Sequence, residues 1–244
     1  MNRWIYYGVA NGIGVLFGTI FLIISLKKYK NSSYNEKLKP LKFLYILFIL
    51  LEILKIFYHI TYNKSLSPKV LSFAFCSNFL YIYPIICHTK ENNMASRICK
   101  VIAVVPSLVI GTLYLFLIPK TYNLSTFSFV LNLHSRLYHI TMLTGAIYMI
   151  VVKLCNFKFK DFYFSAISVC AYFIFCTVMS MALNTNIANY GPSSKQLGFL
   201  YNKVGYVVGN IFVCFVVFVI AMVIYGAIYI TKKYAYNKYN KKID

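Results

Sequence analysis

Apolar residues run along this chain in blocks of about twenty, separated by short polar stretches. A bilayer core is crossed by about 20 apolar residues in helical form. Seven blocks qualify: residues 8–26, 41–60, 70–87, 98–118, 126–152, 162–183 and 205–230. The third is the weakest, because Ser72, Ser77, Asn78 and Pro84 interrupt it. The pattern predicts an all-α protein: a polytopic membrane helix bundle of about seven transmembrane helices, forming a single integral membrane domain over residues 1–244. The first block reads as a span rather than a cleaved leader, since no small-residue cleavage site precedes the lysines that follow it.

Composition agrees. The chain is 60% hydrophobic and 12% charged, with mean hydropathy +0.67; soluble domains lie nearer half apolar and a quarter charged. A formal charge of +20 raises the question of nucleic acid, but the lysines sit in short blocks between apolar runs, so no nucleic acid is expected as a partner. Their distribution orients the bundle instead. "KKYKNSSYNEKLKPLK", "HTKENNMASRICK", "KLCNFKFK" and the tail after Thr231 carry 17 basic residues, and the alternate connections carry six. By the positive-inside bias the amino terminus is expected outside and the carboxyl terminus in the cytoplasm.

Ionisable residues inside a membrane are costly and point to function by default. In the second block, "LEILKIFYHI", Glu52, Lys55 and His59 share a helical face, with Glu52 about 10 Å deeper than His59 at 1.5 Å per residue. In the fifth, "LHSRLYH", Arg136 and His139 share a face, whereas His134 points elsewhere and reads as interfacial. Asn184, Asn186, Asn189 and Tyr190 cluster after the sixth block. With the orientation above, all of these and Cys76 fall in the outer halves of four spans, as a polar cavity open to the outer leaflet would require. Only Arg3, Arg97 and Arg136 are Arg among 25 basic residues in a Lys-, Asn- and Ile-rich chain, which makes an Arg inside a span more informative.

The seven cysteines form no CxxC and no disulfide framework. No metal or cofactor is expected: His134 and His139 are five apart, not the four that would put two ligands on one helix face. A thiol becomes a nucleophile as thiolate, and a nearby imidazole promotes that; Arg136 would suit an anion, and the Asn-rich turn could donate to an oxyanion. On residues alone, two readings stand together. One is a lipid-modifying enzyme whose partner is a membrane phospholipid or other acyl lipid. The other is a small-molecule transporter, or its substrate-binding membrane subunit, with Glu52, Arg136 and His139 at the solute site.

Three segments, "LSFAFCSNFLYIYPI", "HSRLYHITMLTGAIY" and "LNTNIANYG", in that order and with 63 residues from Cys76 to His139, are similar to those of the YwaF-like integral membrane proteins of bacteria. That family is related to eukaryotic transmembrane phospholipid acyltransferases and, distantly, to the androgen-induced-gene fatty acid ester hydrolases. The resemblance covers essentially the whole chain. It departs where the family has Pro and His shortly before the Cys, here Ser72 and Ala74, and where an apolar pair follows the Asn-Tyr, here Gly191 and Pro192. It implies a lipid acyltransferase or acyl hydrolase in a bacterial plasma membrane, with Cys76 as acyl-accepting nucleophile and His139 as base. Arg136, Glu52, His134, His59, Asn184, Asn186, Asn189 and Tyr190 are then expected around the substrate.

Overall fold

A chain in lipid satisfies its backbone polar groups internally, which restricts it to helices or closed barrels. The computed structural model describes residues 3–63, 75–91, 93–116, 126–155, 158, 161–183 and 198–240, and among them every regular element is helical. In order they are α1 (Arg3–Tyr29), the short α2 (Tyr34–Lys37), α3 (Lys39–Asn63), a 3-10 turn (Phe75–Asn78), α4 (Phe79–His88), α5 (Met94–Phe116), α6 (Thr126–Val151), α7 (Phe162–Ala182), α8 (Gly198–Val204) and α9 (Tyr206–Asn240).

Five segments are long and apolar enough to cross a bilayer: Gly8–Tyr29, Tyr34–Tyr62, Met94–Thr112, Tyr163–Ala182 and Tyr206–Thr231. These correspond to five of the seven expected blocks. The other two differ for physical reasons. The third block contains α4, whose ten residues give about 15 Å of helix; residues 70–74 of that block lie outside the described residues. The fifth block forms α6, which at 26 residues is long enough, but His134, Arg136 and His139 dilute its apolar run. Helices α1 and α3 display Leu16, Ile20, Ile23, Ile46, Leu50 and Phe57 on their surfaces, as lipid-facing helices do. Around α6, by contrast, Tyr138 through Met142 and Thr144 through Ala146 are buried on successive positions. A helix enclosed by other helices has no lipid face to keep apolar.

The chain divides into two compact units, residues 1–155 and 156–244. In the first, α6 packs against α1, α3, α5 and the 3-10 turn, and α4 packs against α3 and α5. The α1–α6 contact is a ladder of rungs. Arg136 bonds Asn11, Ile140 lies over Gly14, and Thr144 lies over Gly18, where an added Cβ would come within 2.6 Å of the Thr144 hydroxyl. Numbers rise together on both helices, so α1 and α6 run parallel. Small residues let the backbones approach closely, which is how helices associate where lipid is as apolar as the core.

The end of α6 is fixed by a left-handed residue. Lys153 has φ +58, its N–H donates to the Ile150 carbonyl (3.1 Å), and the Leu154 N–H donates to the Met149 carbonyl (3.0 Å). That is a Schellman cap with Lys at the position Gly usually takes. In the second unit, α7 and α8 each pack on α9. Gly205, at φ +82, makes the bend from α8 to α9, and Tyr201 donates its hydroxyl across the bend to the Asn210 side-chain oxygen at 3.0 Å.

Candidate functional site

An aromatic layer sets the level of the site. Phe48 of α3 lies with its ring centroid 6.1 Å from Phe79 of α4 and 4.6 Å from Tyr138 of α6. Below it, Tyr83 packs edge-on to Phe48 at 5.3 Å. Helix α3 runs opposite to α4 and α6, since Glu52 meets Ser77 and His134 while Phe48 meets Phe79 and Tyr138. One turn above the layer therefore lies Glu52 on α3, four residues after Phe48. At the same level lies the 3-10 turn with Cys76 and Ser77, just before Phe79. His134 on α6, four residues before Tyr138, completes it.

These groups meet. Ser77 Oγ donates to Glu52 Oε1 at 3.5 Å. Lys55 Nζ pairs with the same carboxylate oxygen. The His134 ring lies 5.7 Å from Tyr138 and faces the Leu51 backbone, with Glu52, Lys55 and His139 as its charged or titratable neighbours. His134 is buried within the bundle, and its Nε2 has no hydrogen-bond partner among the described residues. The α3 carboxylate thus pairs with Lys55 and reaches the cysteine-bearing turn through Ser77. The Cys76 backbone belongs to that turn, and its side chain lies outside the described residues.

Arg136 and His139 occupy another side of α6. Arg136, 2% exposed, donates from Nη1 to Asn11 Oδ1 at 3.1 Å, and Asn11 Nδ2 donates onward to the Leu115 carbonyl of α5 at 3.2 Å. The guanidinium ties α1, α5 and α6 together. His139 Nδ1 lies 2.7 Å from the Ser135 carbonyl one turn back. Its own carbonyl faces Gly111 of α5, where an added Cβ would come within 3.2 Å of it. His59 is half-buried two turns beyond Glu52, with Lys55 as its charged neighbour. Asn184, Asn186, Asn189 and Tyr190 lie outside the described residues. The polar residues of α6 accordingly serve two sides: His134 toward α3 and the turn, Arg136 toward α1.

A groove of about 540 Å³ opens between α3 and α4, lined by Tyr45, Ile49, Glu52, Ile53, Ile56, Leu80, Tyr81 and Pro84. From Tyr45 to Ile56 it follows about 16 Å of α3. Among the described residues Glu52 is its only charged wall residue, so the groove joins an apolar trough to the polar level described above. Pro84 has no N–H to give the Leu80 carbonyl one turn earlier, which puts a backbone acceptor in the same wall.

Two participants escaped the sequence reading. Ser77 sits next to Cys76, and in the sequence it is one of several polar interruptions of the third block. Asn11 was hidden in the first block, although Asn11, Gly14 and Gly18 fall on one helical stripe; a polar residue in line with two glycines is the signal that α1 has a helix partner there. Among the described residues, no three His, Cys, Asp or Glu side chains gather as a metal site.

No curated protein and no solved structure matches the chain. A model of the TMEM164 family matches residues 3–236, and this multi-pass membrane protein belongs to that family.

Proposed function

We propose that the protein is a membrane-embedded lipid acyltransferase or acyl hydrolase, with Cys76 as nucleophile and an α6 imidazole as its base. The observation that carries the reading is the shared level of the Cys76 turn, Glu52 and His134 above one aromatic layer, at the edge of an apolar groove. Thiol, imidazole and carboxylate on three helices are the parts of a nucleophile–base–orienter arrangement.

The resemblance assigned the base to His139. Two observations support His134 for that role instead. Its ring faces the helix to which Ser77 docks the cysteine turn, and its buried Nε2 is available to a proton. His139 is bonded through Nδ1 to the Ser135 carbonyl and lies beside Arg136.

In the proposed cycle His134 takes the Cys76 proton as the sulfur attacks a lipid ester carbonyl. The tetrahedral oxyanion collapses, and the departing alkoxide recovers that proton from the imidazolium, leaving an acyl thioester on Cys76. A hydroxyl of an acceptor lipid, deprotonated by the same imidazole, then attacks the thioester. The products are a new ester and the free thiol; water in place of the acceptor yields a fatty acid. The groove along α3 would hold the acyl chain, and the cavity would open to the outer leaflet of a bacterial plasma membrane.

Intact mass after incubation with phospholipid tests the reading. A single acyl adduct is expected on the wild type and none on Cys76→Ala. His134→Ala should lower turnover by roughly 10²–10⁴, the usual contribution of a general base, and more than His139→Ala does. Wild-type turnover by Cys76→Ala would sink the enzyme reading. Saturable solute uptake in proteoliposomes that survives loss of Cys76 would favour the transporter.

A further inference from the structure

A second polar cluster lies at the other end of the bundle, where α2 meets α5. Lys100 is 3% exposed and Ser96 is fully buried. Lys100 Nζ donates to the Tyr34 hydroxyl at 2.9 Å and lies 4.7 Å from the centroid of the same ring. The Tyr34 and Ser96 hydroxyls are 3.5 Å apart, longer than a well-formed O–H···O bond. From Lys39, at the start of α3, to Glu52 is about 20 Å of helix, so this cluster is separate from the candidate active site.

Its donors and acceptors do not balance. An ammonium, a phenol and a serine hydroxyl converge, and the only acceptors they offer one another are two hydroxyl oxygens. Glu36 pairs with Lys39 and Glu52 with Lys55; neither pair includes Lys100. A buried cation without a counter-ion is costly. Asn93 Oδ1 already accepts from the Ala95 and Ser96 N–H groups, so it is committed to capping α5. The start of α5 also carries the positive end of the helix dipole, which favours a negative charge nearby and disfavours a second positive one.

We propose that Lys100, Ser96 and Tyr34 form a binding site for a phosphate-type oxyanion, supplied by a phospholipid headgroup or by dissolved phosphate. A tetrahedral oxyanion presents an acceptor oxygen to each of the three donors, and its charge offsets the ammonium. Tyr34 is half-buried on a four-residue helix between α1 and α3. Its ring is the cover through which an anion reaches Lys100. Lys27, Lys28, Lys30, Lys37 and Lys42, on the same connection, attract anions to that end of the molecule.

The test is thermal unfolding of the purified protein in neutral detergent at fixed ionic strength. It is titrated with inorganic phosphate, with phosphatidylglycerol or with phosphatidylcholine. A ligand that binds only the folded state raises the unfolding temperature in proportion to its occupancy. Stabilisation by inorganic phosphate identifies a site for the dissolved anion, and stabilisation by phosphatidylglycerol alone identifies the lipid headgroup. Lys100→Met should weaken the apparent affinity by roughly tenfold or more, as loss of a charge-assisted contact does, while Lys100→Arg retains most of it. Tyr34→Phe and Ser96→Ala each should weaken it severalfold, and these two decide if Lys100→Met does not fold. No response of the wild type to either anion, or equal responses in wild type and variants, would overturn the proposal.

Discussion

Gly145→Ala tests whether the layer beneath the candidate site is as tightly made as its geometry says. A Cβ on Gly145 would run into the Tyr83 hydroxyl, and would lie 3.3 Å from Tyr83 Cζ and 3.2 Å from Leu44 Cδ1. Tyr83 has no room to swing aside. It is fully buried, with ring centroids 5.3 Å from Phe48 and 5.8 Å from Phe79. Overpacking of this kind costs about 1–3 kcal/mol. Alanine recovers about 0.8–1.0 kcal/mol of helix propensity over glycine, which leaves a net loss of up to about 2 kcal/mol. Tyr83→Phe should behave in the opposite way. The Tyr83 hydroxyl is buried without a hydrogen-bond partner among the described residues, so its removal relieves a desolvation penalty of about 1–3 kcal/mol, less the small void left by one oxygen. In the double variant the new methyl group takes the place of that oxygen.

The four proteins form a double-mutant cycle, measured by equilibrium unfolding in mixed micelles. We expect Gly145→Ala to be destabilised, Tyr83→Phe neutral or stabilised, and the double variant at least as stable as the wild type, a coupling equal to the relieved clash of about 1–3 kcal/mol between residues in contact. Because α4 carries the cysteine turn at its start, Gly145→Ala should also reduce acyl-adduct formation, with recovery in the double variant. An equal cost of Gly145→Ala in the wild-type and Tyr83→Phe backgrounds would refute the packing argument.

Two further perturbations follow from the same geometry. Lys55→Met leaves the Glu52 carboxylate, 6% exposed in the wild type, without its cation, and should cost about 3–5 kcal/mol; in Glu52→Leu/Lys55→Met most of that stability should return while acyl transfer stays lost, as paired unfolding and adduct measurements would show. Lys153→Gly places glycine at the left-handed cap of α6 and should raise stability by about 1 kcal/mol, read from the same unfolding assay, with an unchanged or lowered stability counting against the cap.

The fold was legible where lipid dictates composition. Helices α1, α3, α7 and α9 expose most of their apolar spans, so their apolar runs identify them directly, and α5 keeps such a run although about half of it is buried. The same logic fails for α6 and α4. Helix α6 is enclosed, and its sequence answers to neighbouring helices, not to lipid. Helix α4 is too short to fill a bilayer, and the block that contains it is broken at Ser77 and Asn78, where the 3-10 turn ends. Site residues divide in a similar way. Glu52, Lys55, His134 and Arg136 stood out because each is expensive in a membrane. Asn11 and Ser77 did not, because small neutral polar residues are common in spans and acquire meaning only from what faces them.

The division of α6 into two sides explains why the polar stretch "HSRLYH" is tolerated at all. Each ionisable group there has its own setting: His134 beside α3, Arg136 against Asn11 of α1, and His139 on the Ser135 carbonyl of its own preceding turn. Polar groups held this way fix the rotation and the height of α6 relative to its neighbours, because sliding by one residue would strand a buried cation. The Gly14 and Gly18 rungs permit the close approach, and the Arg136–Asn11 bond selects one register within it. That register determines where His134 lies relative to Glu52 and the cysteine turn. Arg136 would then act on the proposed chemistry as a positioning residue, and Asn11→Leu, far from any acyl group, should slow adduct formation by displacing His134.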